Sequence, residues 1–317
     1  MKLVAVPGRV NLIGEHIDYH GLPVLPIAIG RSIRVSFRAR PDRLIRAASA
    51  VPYGPREFEW TPDLAPTGAG DWENYLRAAA RVAQMLLPGP AQAGIDATVE
   101  ADLPPAAGLS SSTALLVAFV LALLDANHHT PSFEQLMEVL PDGEQFVGTR
   151  GGGMDHAAVL GSRAGCASLI RFNPLSLRPI PIPAGWGFVV AHCLQTAEKS
   201  GPARQHYNSR RTAGARAIER LGFTSYAAAI AAGASAEQLE TAEERDSFLH
   251  VTGEASRVEL AVRALEHADA ATFGRLLFES HASLRDRLQV SCAALDRLVD
   301  AVAHDQRGRS IHAHAGS

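Results

Sequence analysis

Between Arg9 and Asp18 the chain sets a cation, an amide, two acids and an imidazole into an otherwise apolar run, Pro7-Gly8-Arg9-Val10-Asn11-Leu12-Ile13-Gly14-Glu15-His16-Ile17-Asp18-Tyr19. The residues just before it, Leu3 to Val6, read as a short strand. Charge that is buried without a partner or a task is costly. A strand that only filled a core would not carry this load, so the stretch reads as a functional segment entered directly from a core element.

The rest of the chain bounds what that function can be. At 317 residues there is room for about two domains. A net charge of -3 with no Lys/Arg-rich run gives no electrostatic case for nucleic acid or an anionic membrane. Cys166, Cys193 and Cys292 are odd in number and far apart, which favours reduced thiols over a disulfide framework or a CxxC metal site. His128-His129 and His312-Ala313-His314 lack further ligands at metal spacing. No charged head and cleavage site of a signal peptide stands at the N-terminus. The most apolar window, Leu115 to Leu124, is about half a membrane span. A cytoplasmic protein is expected.

Strands are expected at Leu3–Val6, Ile33–Ala39, Gly94–Ala101, Cys166–Phe172 and Gly187–Ala191. Pro52–Pro66 and the proline-rich Pro174–Pro183 read as irregular connections. Helices are expected at Asp71–Leu87, Ala114–Asn127, Ser132–Leu140, Ala203–Leu221, Phe223–Ala232, Arg257–Ala268, Ala270–Glu279 and Ala293–Ala303. Strands early and helices late give an α+β order. The composition shift near 173–186 suggests domains of 1–178 and 179–317.

Two further segments carry chemistry. In Leu103-Pro104-Pro105-Ala106-Ala107-Gly108-Leu109-Ser110-Ser111-Ser112-Thr113 a glycine and three serines open a helix, where backbone N–H groups and hydroxyls suit an anion. Taken alone, the serines are better explained as plain helix capping by Ser110 or Ser111. In Glu144-Gln145-Phe146-Val147-Gly148-Thr149-Arg150-Gly151-Gly152-Gly153-Met154-Asp155 three glycines permit close backbone approach and an acid ends the run. Alone, that is a tight turn with a surface aspartate.

Taken in order, the three segments resemble the galactokinase group of the GHMP family of small-molecule kinases, over about residues 3–303. The Gly-Thr-x-Gly-Gly-Gly-Met-Asp form is most similar to N-acetylgalactosamine kinases and fungal galactokinases. The resemblance implies a two-domain GHMP kinase fold, with a ribosomal protein S5 domain 2-like N-terminal domain and a ferredoxin-like, helical-plus-sheet C-terminal domain. It implies an ATP-dependent sugar 1-kinase using ATP and Mg²⁺, with a small-molecule sugar as partner, monomeric or weakly homo-oligomeric.

By the same resemblance Asp155 is the base and Arg9 lies against it, holding it ionised and stabilising charge on the phosphoryl group. Glu15, His16, Asp18, Gly152 and Tyr207 would hold the sugar. Gly108, Leu109, Ser110, Ser111 and Ser112 would cradle the triphosphate, and Ser111 or Ser112 with Glu144 would ligate Mg²⁺. Trp72 and Tyr75 would lie near adenine, or in the core of their helix. Arg210-Arg211 reads as a solvated helix face, and Phe278–Asp286 as structural packing.

Two departures stand out. Ala106 occupies a position where the family has glycine. The tail from Asp305 does not resemble the family's second glycine-rich loop and following strands, which implies an incomplete second domain. A shortened reading frame, a trimmed lineage or completion by another chain would each account for it. The same features leave a second function open, a catalytically impaired sugar- and nucleotide-binding regulator. The sugar itself is galactose or a close relative such as N-acetylgalactosamine.

Overall fold

The computed structural model describes residues 1–49, 53–91, 93–104, 107–148, 151–194 and 202–303, with side chains from 208 onward in the last stretch. Ala106, the side chain of Tyr207 and the tail with His312 and His314 lie outside the described residues. The chain forms two compact units. One gathers residues 1–9, 28–105 and 109–161, the other 10–27, 106–108 and 162 onward.

The first unit is built on a five-stranded sheet in the order β1-β2-β5-β3-β4. Its strands are β1 (Lys2–Asn11), β2 (Pro26–Ala39), β3 (Leu44–Ser49), β4 (Arg56–Glu59) and β5 (Ile95–Ala101). β2 and β5 are antiparallel with Val35 opposite Val99 and Phe37 opposite Ala97, and β3 lies parallel to β5. Along β2, Ile33, Val35 and Phe37 are buried while their neighbours face outward, the alternation expected of a half-buried strand. β3 and β4 fall in and beside a stretch expected to be irregular. They carry few apolar residues, and what specifies them is pairing: Ile45 opposite Phe58, and an Arg46–Glu57 ion pair beside it.

Among the described residues the helices of this unit are α1 (Glu73–Leu86), α2 (Ser111–Ala126), α3 (Phe133–Phe146) and α4 (Met154–Gly161). α2 is apolar on nearly every face and is buried from Ala114 to Leu124 apart from Leu115 and Leu121, packed on α1, α3, α4 and β5. α3 starts at a capping box made by Ser132 and Gln135 and continues through Pro141 to Phe146, beyond the end expected at Leu140. The extra turn carries Glu144.

The second unit holds the antiparallel pair β6 (Cys166–Phe172) and β7 (Leu175–Pro181), with Val24 bridged to Ile170. β7 runs through the proline-rich segment. Prolines are tolerated there because, among the described residues, the strand is an edge with no further ladder on its outer side. Gly187–Ala191 pairs with no described strand. Trp186 and Phe188 pack edge-on against Phe273, while Val189 and Val190 stay 71% and 53% exposed. Its apolar run is a strand in composition that lacks a partner among the described residues.

The helices here are α5 (Pro202–Arg220), α6 (Tyr226–Ala231), α7 (Ala242–Glu266), α8 (Ala270–Ser283) and α9 (Ala293–Ala303). α7 starts well before the Arg257 expected from periodicity, at a Thr241 cap that accepts from the Glu244 N–H. Polar residues at its buried positions, His250 and Glu254, mask the apolar stripe. No helix among the described residues is long and apolar enough to cross a membrane.

Candidate active site

In the first unit three segments meet at one carboxylate. β1 delivers Arg9, which is buried, and its Nε donates to Asp155 Oδ1 at 2.7 Å, with a terminal guanidinium nitrogen also 2.7 Å from that oxygen. Ser110 donates from Oγ to the other oxygen, Oδ2, at 2.6 Å. Asp155 sits in the first turn of α4, where the helix dipole favours negative charge.

Local backbone explains how these groups reach each other. Gly8 lets β1 run close to the serine loop: a Cβ there would lie 2.4 Å from Leu103 Cδ2 and 2.8 Å from the Leu109 carbonyl oxygen. The Arg9 N–H donates to that same carbonyl at 3.2 Å. Ser110 takes a left-handed conformation, φ 57° and ψ 37°, at the N-cap of α2. Its side chain makes no cap hydrogen bond. A non-glycine residue held there costs conformational energy, and such strain tends to sit at functional sites. Of the two sequence-based readings of this serine, the capping one does not describe it.

Glu144 lies beside this group. Thr113 donates to its Oε1 at 2.8 Å, and the buried His156 places Nε2 3.5 Å from the same oxygen. The other oxygen faces the Gly151 backbone, where an added Cβ would be 2.6 Å away. Ser112 is hydrogen-bonded to the Tyr75 hydroxyl, whose pKa is raised by burial and by the Glu144 charge. A carboxylate and serine hydroxyls are the hard oxygen donors that Mg²⁺ takes. No group of three or more His, Cys, Asp or Glu side chains that could hold a metal ion occurs among the described residues. Gly108 has a positive φ of 71° in the loop before Ser110. Trp72 is buried, and its indole N–H donates to the Gly54 carbonyl at 3.1 Å, an arrangement that suits the core reading.

In the second unit the polar residues after Arg9 form their own cluster. Asn11 donates to Glu15 Oε1 at 2.8 Å, and His16 Nδ1 lies 2.9 Å from the Tyr19 hydroxyl. Asn11, Glu15 and His16 are buried, and Asp18 opens a short 3-10 turn to His20. Burial pushes the Tyr19 hydroxyl well above its usual pKa, with the Asp18 and Glu15 charges adding to the effect. The Arg211 guanidinium lies over the Tyr19 ring, 5.5 Å from its centre, and Arg210 reaches Gln289 and Glu243. The arginine pair is thus engaged and not merely solvated. Gly152 lies among the described residues of the glycine turn before α4, and Tyr207 is on α5.

Sequence reasoning overlooks Thr113, Glu254 and His250. Thr113 follows the serines directly. Glu254 and His250 are four apart on α7 and fully buried, a pattern that marks polar residues with work inside a core.

Comparison with known proteins gives this geometry a family. Residues 2–39 match the galactokinase galactose-binding signature, and residues 74–162 the GHMP kinases N terminal domain. A galactokinase of Roseiflexus sp. (strain RS-1) is 37% identical over 306 residues, covering 94% of this chain and 76% of its own length. A galactokinase of Streptomyces coelicolor is 34% identical over 301 residues, covering 93% and 77%. The crystal structure of Lactococcus lactis galactokinase complexed with galactose shares the fold, with a TM-score of 0.87 at 24% identity over 99% of this chain and 84% of that one. The Methanococcus jannaschii mevalonate kinase gives a TM-score of 0.65 at 15% identity, over 99% and 88%. With more than a third of the aligned residues shared along most of its length, the chain belongs to the galactokinase group of the GHMP kinases.

Proposed function

We propose that the protein transfers the γ-phosphoryl group of ATP to the anomeric hydroxyl of galactose or of a close relative such as N-acetylgalactosamine. The observation that carries this reading is the doubly held carboxylate of Asp155, with Arg9 on one oxygen and Ser110 on the other. Phosphoryl transfer needs positioning and charge stabilisation more than covalent chemistry. Asp155 accepts the hydroxyl proton as the sugar oxygen bonds to the γ-phosphorus. The bond from that phosphorus to the bridging oxygen breaks, and ADP leaves. Arg9 keeps Asp155 oriented and offsets charge on the transferring group.

The serine loop and the N-terminus of α2 supply N–H and hydroxyl donors to the phosphates. Glu144, with Ser111 or Ser112, would hold Mg²⁺, which when bound neutralises phosphate charge. Glu15, His16 and Asp18 take the sugar hydroxyls, with Tyr207 and the Gly152 backbone contributing. Their acceptor-rich set suits a polyol and not an apolar alcohol. The intact Arg9–Asp155–Ser110 group supports a catalyst over a regulator. ADP release by the purified protein over galactose, N-acetylgalactosamine, arabinose and glucose tests the reading: turnover with galactose or its 2-acetamido relative is expected, and none with glucose.

A further inference from the structure

The loop that carries Glu15 and His16 is gripped by its backbone. Glu254 of α7, 0% exposed, accepts from the Gly14 N–H at 2.9 Å and from the Glu15 N–H at 3.3 Å, both on Oε1. Ser280 of α8 donates to the same oxygen at 2.7 Å. The other oxygen takes the Arg257 guanidinium, with Nε at 2.8 Å and a terminal nitrogen at 2.7 Å. One turn earlier on α7, His250, also 0% exposed, lies with Nε2 2.9 Å from the Glu15 carbonyl oxygen. A carbonyl only accepts, so Nε2 carries the proton, and Nδ1 accepts from the Ser283 hydroxyl at 2.9 Å. The two peptide units around Glu15 are therefore held on their N–H side by a carboxylate and on their C=O side by an imidazole.

The conformation being held does not hold itself. Gly14 has φ 104° and His16 φ 61°, both in the left-handed region, and His16 pays for it as a non-glycine residue. Gly14 also lies flat against its surroundings, since a Cβ would be 2.9 Å from Val24 Cα and 3.1 Å from Val258 Cγ2. Burying a carboxylate beside a partly exposed guanidinium to fill space would be a poor choice, because an apolar side chain does that at no desolvation cost. Burial acts to raise the pKa of Glu254, yet the neighbouring His250 and Arg257, with the donors from Ser280 and Gly14, hold it below the usual carboxylate range. The charge is kept where it meets backbone donors of the sugar loop.

We propose that Glu254 and His250 are positioning residues for the sugar site, which fix the backbone at residues 14–16 and so set sugar affinity without touching sugar. The inference rests on the reading that Glu15 and His16 bind the sugar. Glu254→Gln weakens the N–H side of the clamp. The amide is neutral and has one accepting oxygen, so it cannot hold the Gly14, Glu15 and Ser280 donors as the carboxylate does, and either orientation loosens the loop. A loop released by about an ångström costs up to about a hundredfold in a site that depends on alignment.

The test is ADP release by the full chain, with galactose and ATP each varied, for wild type, Glu254→Gln, Ser280→Ala and Glu15→Gln, and with thermal unfolding of each. Glu254→Gln is expected to raise the galactose KM about tenfold or more, with the ATP KM and kcat within about threefold, and Ser280→Ala to raise the galactose KM by about two- to fivefold. A purely structural role would lower Tm and kcat together and leave the galactose KM alone. Unchanged galactose KM in folded Glu254→Gln, while Glu15→Gln raises it, overturns the inference and leaves the sugar reading standing. Absence of galactose turnover by wild type, or no effect of Glu15→Gln, overturns the sugar reading and the inference with it. Should Glu254→Gln fail to fold, Ser280→Ala decides: a raised galactose KM supports the clamp and an unchanged one contradicts it.

Discussion

Ser110 gives up the cap of its own helix to hydrogen-bond Asp155. Its hydroxyl lies 2.6 Å from Asp155 Oδ2, and its backbone takes the left-handed geometry needed to get there. With Arg9 on the opposite oxygen, the carboxylate plane is fixed from both sides.

That relationship predicts the effect of removing the hydroxyl. Ser110→Ala and Ser110→Gly should both lower kcat by about ten- to a hundredfold, with modest changes in either KM, since a hydrogen bond to a charged group is worth about 1.5–3 kcal/mol. Glycine relieves the backbone strain and alanine does not. Equal losses in kcat assign the effect to the hydroxyl, and a near-normal rate for glycine alone would assign it to the backbone.

Arg9 is the buried partner of a partly exposed acid. Arg9→Met removes the guanidinium and both of its contacts to Asp155 Oδ1. Breaking a buried pair on one side costs about 3–5 kcal/mol, and partial exposure of Asp155 reduces that here to about 2–3 kcal/mol. Denaturant unfolding should show this loss for Arg9→Met and at least as large a one for Asp155→Asn, which leaves the more deeply buried guanidinium facing a neutral amide.

Glu144 accepts from Thr113 and keeps one oxygen towards the glycine turn. Glu144→Gln should raise the Mg²⁺ concentration needed for half-maximal rate by about tenfold, leaving the galactose KM within about twofold. Titrating Mg²⁺ at fixed ATP measures both. An unchanged Mg²⁺ requirement would remove Glu144 from the ion's donor set.

Two histidines of the second unit give the fold a pH dependence. Burial, with Arg211 and His250 nearby, lowers the His20 pKa to about 3. Tyr19 and Tyr226 close over its ring. Burial likewise lowers that of His250, with Arg257 and Arg287 adding to the effect and Glu254 opposing it. Both are neutral in the fold, while the unfolded chain takes up their protons near pH 6.5. Their contribution is fully present above that pH and is lost as pH falls from 6.5 towards their folded values, by about 1.4 kcal/mol per pH unit at most for each. Tm should drop between pH 7.5 and 5, and His20→Phe should flatten the slope.

Much of this is legible in the sequence, and the exceptions have physical causes. Alternation in β2 and the apolar length of α2 mark their elements, because burial there follows the period of the chain. β3 and β4 escape because the two large apolar residues of one and the single phenylalanine of the other do not make a pattern; their register comes from pairing with each other and with β5. Gly187–Ala191 fails the other way, with strand composition and no described strand to pair with. At the site, the chemistry of Arg9 and Asp155 is visible in their motifs, but 146 positions separate them and only the fold shows the 2.7 Å contact. Glu254 is hidden more deeply. A buried acid on a helix looks like a break in amphipathicity until the Gly14 and Glu15 N–H groups are seen to end on it.

The central claim is that Asp155, held by Arg9 and Ser110, takes the proton in phosphoryl transfer to a galactose-type sugar. The most direct measurement is ADP release with galactose by wild type and Asp155→Asn, alongside galactose-dependent thermal stabilisation of both. The account predicts turnover by wild type, loss of at least about a thousandfold in the variant, and similar stabilisation of the two by sugar. Galactose-dependent ADP release by Asp155→Asn at the wild-type rate would contradict it.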